Sequence, residues 1–378
     1  MNRTIIDVSI LHTVPPSNLN RDDTGSPKTA LFGGVQRARV SSQAWKRATR
    51  LAFNQRLAVS ELGVRTKRVV ELLGERIVAA DASIKAERAQ ELATEAFKAA
   101  GFKLTAPRKS TKENPLPEET GYLVFLSNRQ LDHLAEAAVT ANSSDDAIAS
   151  LKSAELKKAL NTEHSVDISL FGRMVAEMSD LNVDASVQVA HAIGVHKVES
   201  EFDYFTAIDD HKADDKEKED AGAGMIGTVE FNSSTLYRYA TIDANALFVN
   251  LGNTEVTRRA VEAFLFAFVT SMPTGKQNTF ANRTLPDAVV VSVRDTQPVN
   301  LVGAFEEPVE TDRIRSAAQR LVEHVKDIDG NYGTKPVKSW VVSTGKTDAL
   351  NELGEKVTLD ALVANLGEFV ASRLPEQQ

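Results

Sequence analysis

The residues best suited to chemistry lie in one short stretch, LNRDDTGSPKTALFGGVQRARVSSQAWKRATR, residues 19–50. It holds seven cations, Arg21, Lys28, Arg37, Arg39, Lys46, Arg47 and Arg50, against two acids, Asp22 and Asp23, in a chain of net charge −8. Positive charge gathered in an acidic protein marks a place for an anion. On a helical wheel at 100° per residue, Gln43, Lys46, Arg47 and Arg50 share one face, opposite Ala44, Trp45, Ala48, Leu51 and Ala52. The cationic stripe begins where Ser41 or Ser42 offers an N-cap, and the free N–H groups and dipole of a helix start favour negative charge. Phe32-Gly33-Gly34 upstream lets a backbone approach closely. A solvated helix face would carry the same stripe. Its coincidence with serine cap, glycines and a loop long enough to wrap a polymer points to phosphate esters.

Other chemistries fit less well. The one Gly-Lys pair in PTGKQNTFA, Gly275-Lys276, is followed by Gln277, and Thr270 stands where a P-loop needs glycine, so nucleotide hydrolysis is not expected. Lys276 could still meet a phosphate. The seven histidines are scattered without zinc spacing, and His191 and His196 are expected on strands with local partners. Gly222, Gly224 and Gly227 follow an acidic loop rather than a strand and make no dinucleotide fingerprint. Asp22 and Asp23 could hold Mg²⁺ for RNA cleavage, although adjacent loop aspartates are commonly turn residues. No cofactor motif is found.

The elements that must position these residues follow from pattern. With 378 residues, 42% apolar and 25% charged, the chain should fold into more than one structural unit. The absence of cysteine excludes disulfides and suits a reducing compartment. The N-terminal residues lack a signal-peptide pattern and no apolar run reaches membrane-spanning length, so a soluble, cytoplasmic protein without membrane contact is expected. TIIDVSILH alternates as a strand, and QAWKRATRLAFNQ continues as a helix after a polar loop. Residues from about 56 to 165 are mostly helical, interrupted by TAPRKSTKENPLPEET and the short strand GYLVFLS. Strands are expected again at VDISLFG, VQVAHAIGVHKV, VEFNSSTLYRYATI, DAVVVSVRD and VKSWVVST, with helices at TEVTRRAVEAFLFAFVTSM, DRIRSAAQRLVEHVKDI and LDALVANLGEFVASRL. Between Glu199 and Asp220 ten acids face three lysines, a composition for a projecting hairpin rather than a core. The predicted class is α+β, a ferredoxin-like or RNA-recognition-type sheet interrupted by a helical insertion.

NRDDTGSPKTALFGGVQRARVSSQAWKRATR, VDISLFGRM, AHAI with VESEFDYFTAIDD, MIGTVEF with LYRYATI, and PTGKQNTFA occur in this order. The sequence resembles the CasC backbone-subunit family of type I-E CRISPR Cascade, within the RAMP superfamily. The likeness is densest at residues 18–50 and 166–240. It implies a hand-shaped protein: palm 1–57, helical fingers 58–165, palm 166–197, thumb hairpin 198–235 and palm 236–378. It implies a non-catalytic subunit whose copies stack head-to-tail along CRISPR RNA, hold its sugar–phosphate backbone and leave the guide exposed for pairing with target DNA. Other Cascade subunits (large, small, 5′-end-capping and RNA-processing) would be partners, with a helicase–nuclease recruited indirectly.

Carried over by position, Asn20, Arg21, Lys28, Ser41, Ser42, Gln43, Lys46, Arg47 and Arg50 resemble RNA contacts, Lys276 stands as a further candidate, and Met174 resembles a palm residue packed on kinked RNA. Tyr204, Phe205 and Ile226 match thumb positions that wedge at a displaced base, where apolar faces contribute roughly 1–3 kcal/mol per stacked base. The same aromatic pair could instead staple the hairpin to the palm, one of the two pointing inward. The thumb tip, 209–224, is longer and more charged than the family's usual segment. Related RAMP subunits that cut RNA from an acidic loop residue supply the alternative, a metal-dependent ribonuclease using Asp22 or Asp23.

Overall fold

The computed structural model describes residues 3–207 and 225–375. Strand β1 (Ile5–Ser17) leads through a loop into the hairpin β2 (Thr29–Phe32) and β3 (Val35–Val40), then helix α1 (Ser42–Ala52). Helices α2 (Val69–Ala80), α3 (Ala86–Ala99), α4 (Asn128–Asn142), α5 (Ala147–Ser153), α6 (Leu156–Ala159) and α7 (Val166–Phe171) follow. Among them lie short strands β4 (Gly63–Thr66), β5 (Leu104–Thr105), β6 (Glu119–Thr120) and β7 (Val124–Ser127). Next come β8 (Val187–Val189), β9 (Ala192–Gly194), β10 (Glu201–Ala207) and β11 (Met225–Asp243), then α8 (Ala244–Leu251), α9 (Thr254–Thr270) and the helical turn α10 (Gln277–Phe280). The chain ends with β12 (Ala288–Arg294), α11 (Arg313–Tyr332), β13 (Lys338–Ser343), β14 (Glu355–Lys356) and α12 (Leu359–Arg373).

Two units form. The first combines the chain up to Phe53 with Gln188–Asp243 and Val261–Arg373. Its sheet runs β14-β13-β12-β1-β11-β9-β3-β2, and β1 is antiparallel to both β11 and β12. The inner four strands, β12-β1-β11-β9, are the fourth, first, third and second strands of a βαββαβ unit whose helices are α1 and α9. That is the order of a ferredoxin-like sheet, and the fold is mixed α/β as the sequence predicts. β1 is buried along nearly its whole length, because helices cover both faces. On one face Leu11, Tyr237, Val290 and Val341 pack with Ala318 and Leu321 of α11. Asp7 lies there too, paired with Arg294 (Nε–Oδ2 3.1 Å) and accepting the Tyr239 hydroxyl at 2.7 Å; burial nonetheless pushes its carboxyl up. On the other face lie Trp45 of α1 and Phe268 of α9, bridged by Arg238 of β11, whose guanidinium carbon is 3.6 Å and 4.7 Å from their ring centroids.

The second unit, Asn54–Val187 with Ala244–Ala260, is mainly helical. Leu73, Ile77, Phe97, Leu131 and Leu134 form its centre, and Phe97 meets Phe102 edge-to-face at 5.5 Å. Helix α4 starts with a capping box: Ser127 Oγ accepts Gln130 N–H at 3.0 Å while Gln130 Oε1 accepts Ser127 N–H at 3.0 Å. One expectation is overturned here: VDISLFG is helix α7, not a strand. Val166 to Leu170 are all buried. Val166, Ile168 and Leu170 alternate with Asp167 and Ser169, the two-residue period of a strand, yet the polar pair is buried too, Asp167 Oδ1 accepting Gly63 N–H at 2.9 Å and the Ser165 hydroxyl at 2.6 Å. Gly172 at φ 79° ends the helix.

Candidate nucleic-acid interface

Local hydrogen bonds assemble the site. Ser41 is the N-cap of α1, its Oγ accepting Ala44 N–H at 3.3 Å. Its own N–H donates to Asn20 Oδ1 at 2.9 Å. The Asn20 carbonyl accepts Lys28 N–H at 2.9 Å, and the Lys28 carbonyl accepts Arg39 N–H at 2.9 Å. Loop, hairpin and helix start are thus one connected frame. Asn20 and Ser41 act within it, Ser41 buried and Asn20 half-buried, so their first role is to shape the surface rather than to form it.

Along α1, Gln43 and Arg47 are exposed and Lys46 and Arg50 half-buried, while Trp45, Ala48 and Thr49 face the sheet. Partial burial holds the Lys46 amine below its ordinary range. The wheel misplaced Leu51, which is exposed, and left out Thr49, which is buried. Helix α1 turns about Trp45, from which Leu51 stands about 120° away and Thr49 about 40°.

The cations of the stretch divide. Arg37 is fully buried, donating to the carbonyls of Phe32 (3.2 Å), Gly194 (3.0 Å), Phe305 (3.1 Å) and Glu306 (3.1 Å), so it holds the hairpin rather than an anion. Arg39 Nε donates to Thr29 O at 3.1 Å. Arg21 is exposed and Lys28 half-exposed. Asp22 is a turn residue: its Oδ1 accepts Thr24 N–H (2.9 Å), the Thr24 hydroxyl (2.8 Å) and Ser26 N–H (3.0 Å). These donors, the Thr24 hydroxyl foremost, hold its carboxyl below the usual range. Among the described residues no group of three or more His, Asp or Glu side chains stands close enough to hold a metal ion.

The structure adds neighbours that are distant in sequence. A Cβ on Gly275 would stand 2.2 Å from Leu19 O, so only glycine lets this turn pack on the loop. Gly275 and residues 19–25 line an open polar cavity of about 550 Å³, and Lys276, at φ 50°, follows directly. Ser42 N–H donates to Nδ1 of His191 at 3.2 Å. His191 was expected on a strand with merely local partners; it lies just before β9 and joins the start of α1. A separation of 149 residues leaves no sequence signal for that contact. His196, in a bend just after β9 rather than on a strand, has one local partner, Lys197 O 2.7 Å from its Nδ1, and one distant in sequence, Thr235, whose N–H its Nε2 accepts at 3.1 Å.

Met174 belongs to the second unit and is 82% exposed. It is presented by its neighbour Arg173, buried and donating to Leu181 O (2.7 Å), Leu160 O (2.9 Å) and Gln130 Oε1 (3.2 Å).

Strands β10 and β11 form an antiparallel hairpin in which Tyr204 pairs with Thr228, Phe205 with Gly227 and Thr206 with Ile226. Paired residues share a face and alternate residues change it. Tyr204, Ile226 and also Phe202, which sequence reasoning omitted, therefore lie on one face, and all three are exposed. Phe205 lies on the other, its ring so close over Gly227 that a Cβ there would be 2.5 Å away. The three expected wedge residues do not form a single surface, and Phe205, not Tyr204, is the residue packed down. The acidic tip, 209–224, lies outside the described residues. Among the described residues no helix is long and apolar enough to cross a membrane.

A ferredoxin-like sheet carrying a capped basic helix, an appended helical unit and a long hairpin defines the class: an α/β protein with an exposed cationic surface. The chain belongs to the CT1975-like protein family, a Cas family whose model matches residues 6–365. It is similar to a chain of a solved "CRISPR RNA-guided surveillance complex, pre-nicking", with 33% identity and a TM-score of 0.82 over 96% of this chain and 100% of that one. A chain of a second "CRISPR RNA-guided surveillance complex" is 28% identical, with a TM-score of 0.72 over 96% of this chain and 99% of that one. Comparison with curated protein sequences found no similar one.

Proposed function

We propose that this Cas protein is a non-catalytic backbone subunit of a type I-E Cascade complex, binding CRISPR RNA through its sugar–phosphate backbone. The observation that carries the reading is the frame joining Asn20, Lys28 and Ser41 to the basic face of α1, with Gly275-Lys276 packed on the same loop. Donors arranged this way meet phosphates and carry no means of reading base edges. A subunit that accepts guides of any sequence needs that property. Successive copies would lie head-to-tail along the guide, the exposed Phe202, Tyr204 and Ile226 face of the hairpin meeting a base or a neighbouring copy. The guide would then pair with target DNA beside the other Cascade subunits, the helicase–nuclease being recruited to the assembly. Similarity to chains of RNA-guided surveillance complexes supports this reading.

The test is to co-express the chain with its companion subunits and a CRISPR array, and to sequence the RNA that co-purifies. A discrete spacer-containing RNA, depleted when Lys46 and Arg50 are both alanine, is the expected result. A stable assembly without RNA would overturn the reading.

A further inference from the structure

His191 stands where three parts of the first unit meet: the β2–β3 hairpin, the start of α1 and the segment entering β9. Its Nδ1 accepts Ser42 N–H at 3.2 Å and lies 3.5 Å from Arg39 Nη1. Both of these groups can only donate, so Nδ1 carries no proton and the neutral ring holds its hydrogen on Nε2. The side chain is exposed. It thus offers a fixed N–H donor beside Lys28, Arg39 and the first turn of α1.

We propose that His191 is a further RNA-backbone contact, donating Nε2–H to a phosphate or 2′-hydroxyl of the strand that lies along α1. This rests on the RNA-binding reading above. The charged groups acting on the ring are Arg39 and Lys28, both from the hairpin; α1 contributes only the Ser42 amide, and no carboxylate among the described residues takes part. Partial burial first, then these two cations, hold the imidazole below its ordinary range. A bound phosphate supplies the missing negative charge, so binding RNA favours the protonated ring. By linkage, affinity then rises as pH falls. On protonation Nδ1 stops accepting from Ser42 N–H, and that amide, at a helix start, becomes available to the same anion.

The test is fluorescence anisotropy of the full chain with single-stranded oligouridine, from about pH 5.5 to about pH 8. His191→Ala is expected to weaken binding about three- to tenfold near neutrality and to flatten its pH dependence. His191→Gln can still accept from Ser42 N–H and still donate, so it should keep the neutral-pH affinity yet lose the rise on acidification. An alanine variant that matches wild type at every pH, while Lys46→Ala with Arg50→Ala still weakens binding, would overturn this inference alone. A wild-type chain that binds no oligouridine would instead overturn the RNA-binding reading beneath it.

Discussion

The guanidinium carbon of Arg238 lies over Trp45, 3.6 Å from its ring centroid, and no carboxylate among the described residues neutralises it. It donates instead to His12 Nδ1 at 3.0 Å and to the Phe268 carbonyl, and burial lowers its pKa to about 9. One residue therefore ties α1, β1 and α9 to the centre of the sheet. Arg238→Met keeps the bulk but leaves two buried acceptors without donors. Removal of a buried charge offsets part of that, for a net loss of about 2 kcal/mol. Arg238→Ala adds a cavity and should lose about 2 kcal/mol more. Denaturant unfolding checks both, and equal values for the two variants would show that the cavity costs nothing beyond the lost hydrogen bonds.

His12 supplies a dependence on pH. Burial, with Arg238 beside it, lowers its pKa to about 3 from an ordinary 6.5. Below pH 6.5 the unfolded chain takes up a proton that the folded chain refuses. Stability should fall by about 1.4 kcal/mol per pH unit from there toward pH 3. His164 in the second unit, lowered to about 4 chiefly by burial, acts in the same direction. In His12→Gln the slope of unfolding free energy against pH should be shallower by the His12 share. An unchanged slope would mean that His12 is not held neutral.

The hairpin separates two roles that the sequence places side by side. Phe205 packs over Gly227, whereas Phe202 and Tyr204 are exposed on the opposite face. Gly227→Val should force the Phe205 ring aside and lower the thermal midpoint or loosen the hairpin, seen as faster amide exchange. Phe202→Ala with Tyr204→Ala should leave stability within about 0.5 kcal/mol per residue while reducing the yield of assembled ribonucleoprotein. A pair of alanines that destabilises the isolated chain as Gly227→Val does would refute this division.

Long, periodic segments were legible in the sequence: β1, the helices α2 to α4, α9 and α11, and with them the mixed α/β class, whereas the hairpin β2–β3 falls in what reads as a polar loop. What was not legible has specific physical causes. Helix α7 alternates apolar and polar residues as a strand does, and the burial of Asp167 against Gly63 N–H, far along the chain, leaves no local signal. Arg37 and Arg47 are the same residue type, yet one is sealed beneath four carbonyls and the other is exposed. Charge counting cannot separate them, because burial depends on contacts with Gly194 and Phe305 far along the chain. Ser41 could be named as a cap from its position. That Asn20 would hold it, that Gly275 would pack on Leu19 and that His191 would reach Ser42 are tertiary facts with no local pattern.

Asp22 discriminates between binding and cleavage. Its Oδ1 already accepts three hydrogen bonds that shape the loop, so Asp22→Ala should loosen residues 22–26 and weaken RNA binding modestly. Asp23→Ala should have the smaller effect on the loop. RNA paired to a bound guide should remain intact in Mg²⁺ for wild type and both variants. Mg²⁺-dependent cutting by wild type that disappears in either variant would establish the ribonuclease instead.

The cationic face of α1 makes the most quantitative prediction. For single strands, the logarithm of affinity falls with the logarithm of salt at a slope near −0.7 per phosphate neutralised. Lys46 and Arg50, one turn apart on α1, would each neutralise about one, so changing both to alanine should shallow that slope by about 1.4. Because backbone contacts carry no sequence information, the loss should be alike for guides of unrelated sequence. Both side chains also have partners within the protein, so the unfolding midpoint must be measured in parallel. A loss of affinity at constant slope would assign them a structural role. A shallower slope with the midpoint unchanged places phosphates on this face of α1, and a loss confined to one guide would contradict backbone recognition altogether.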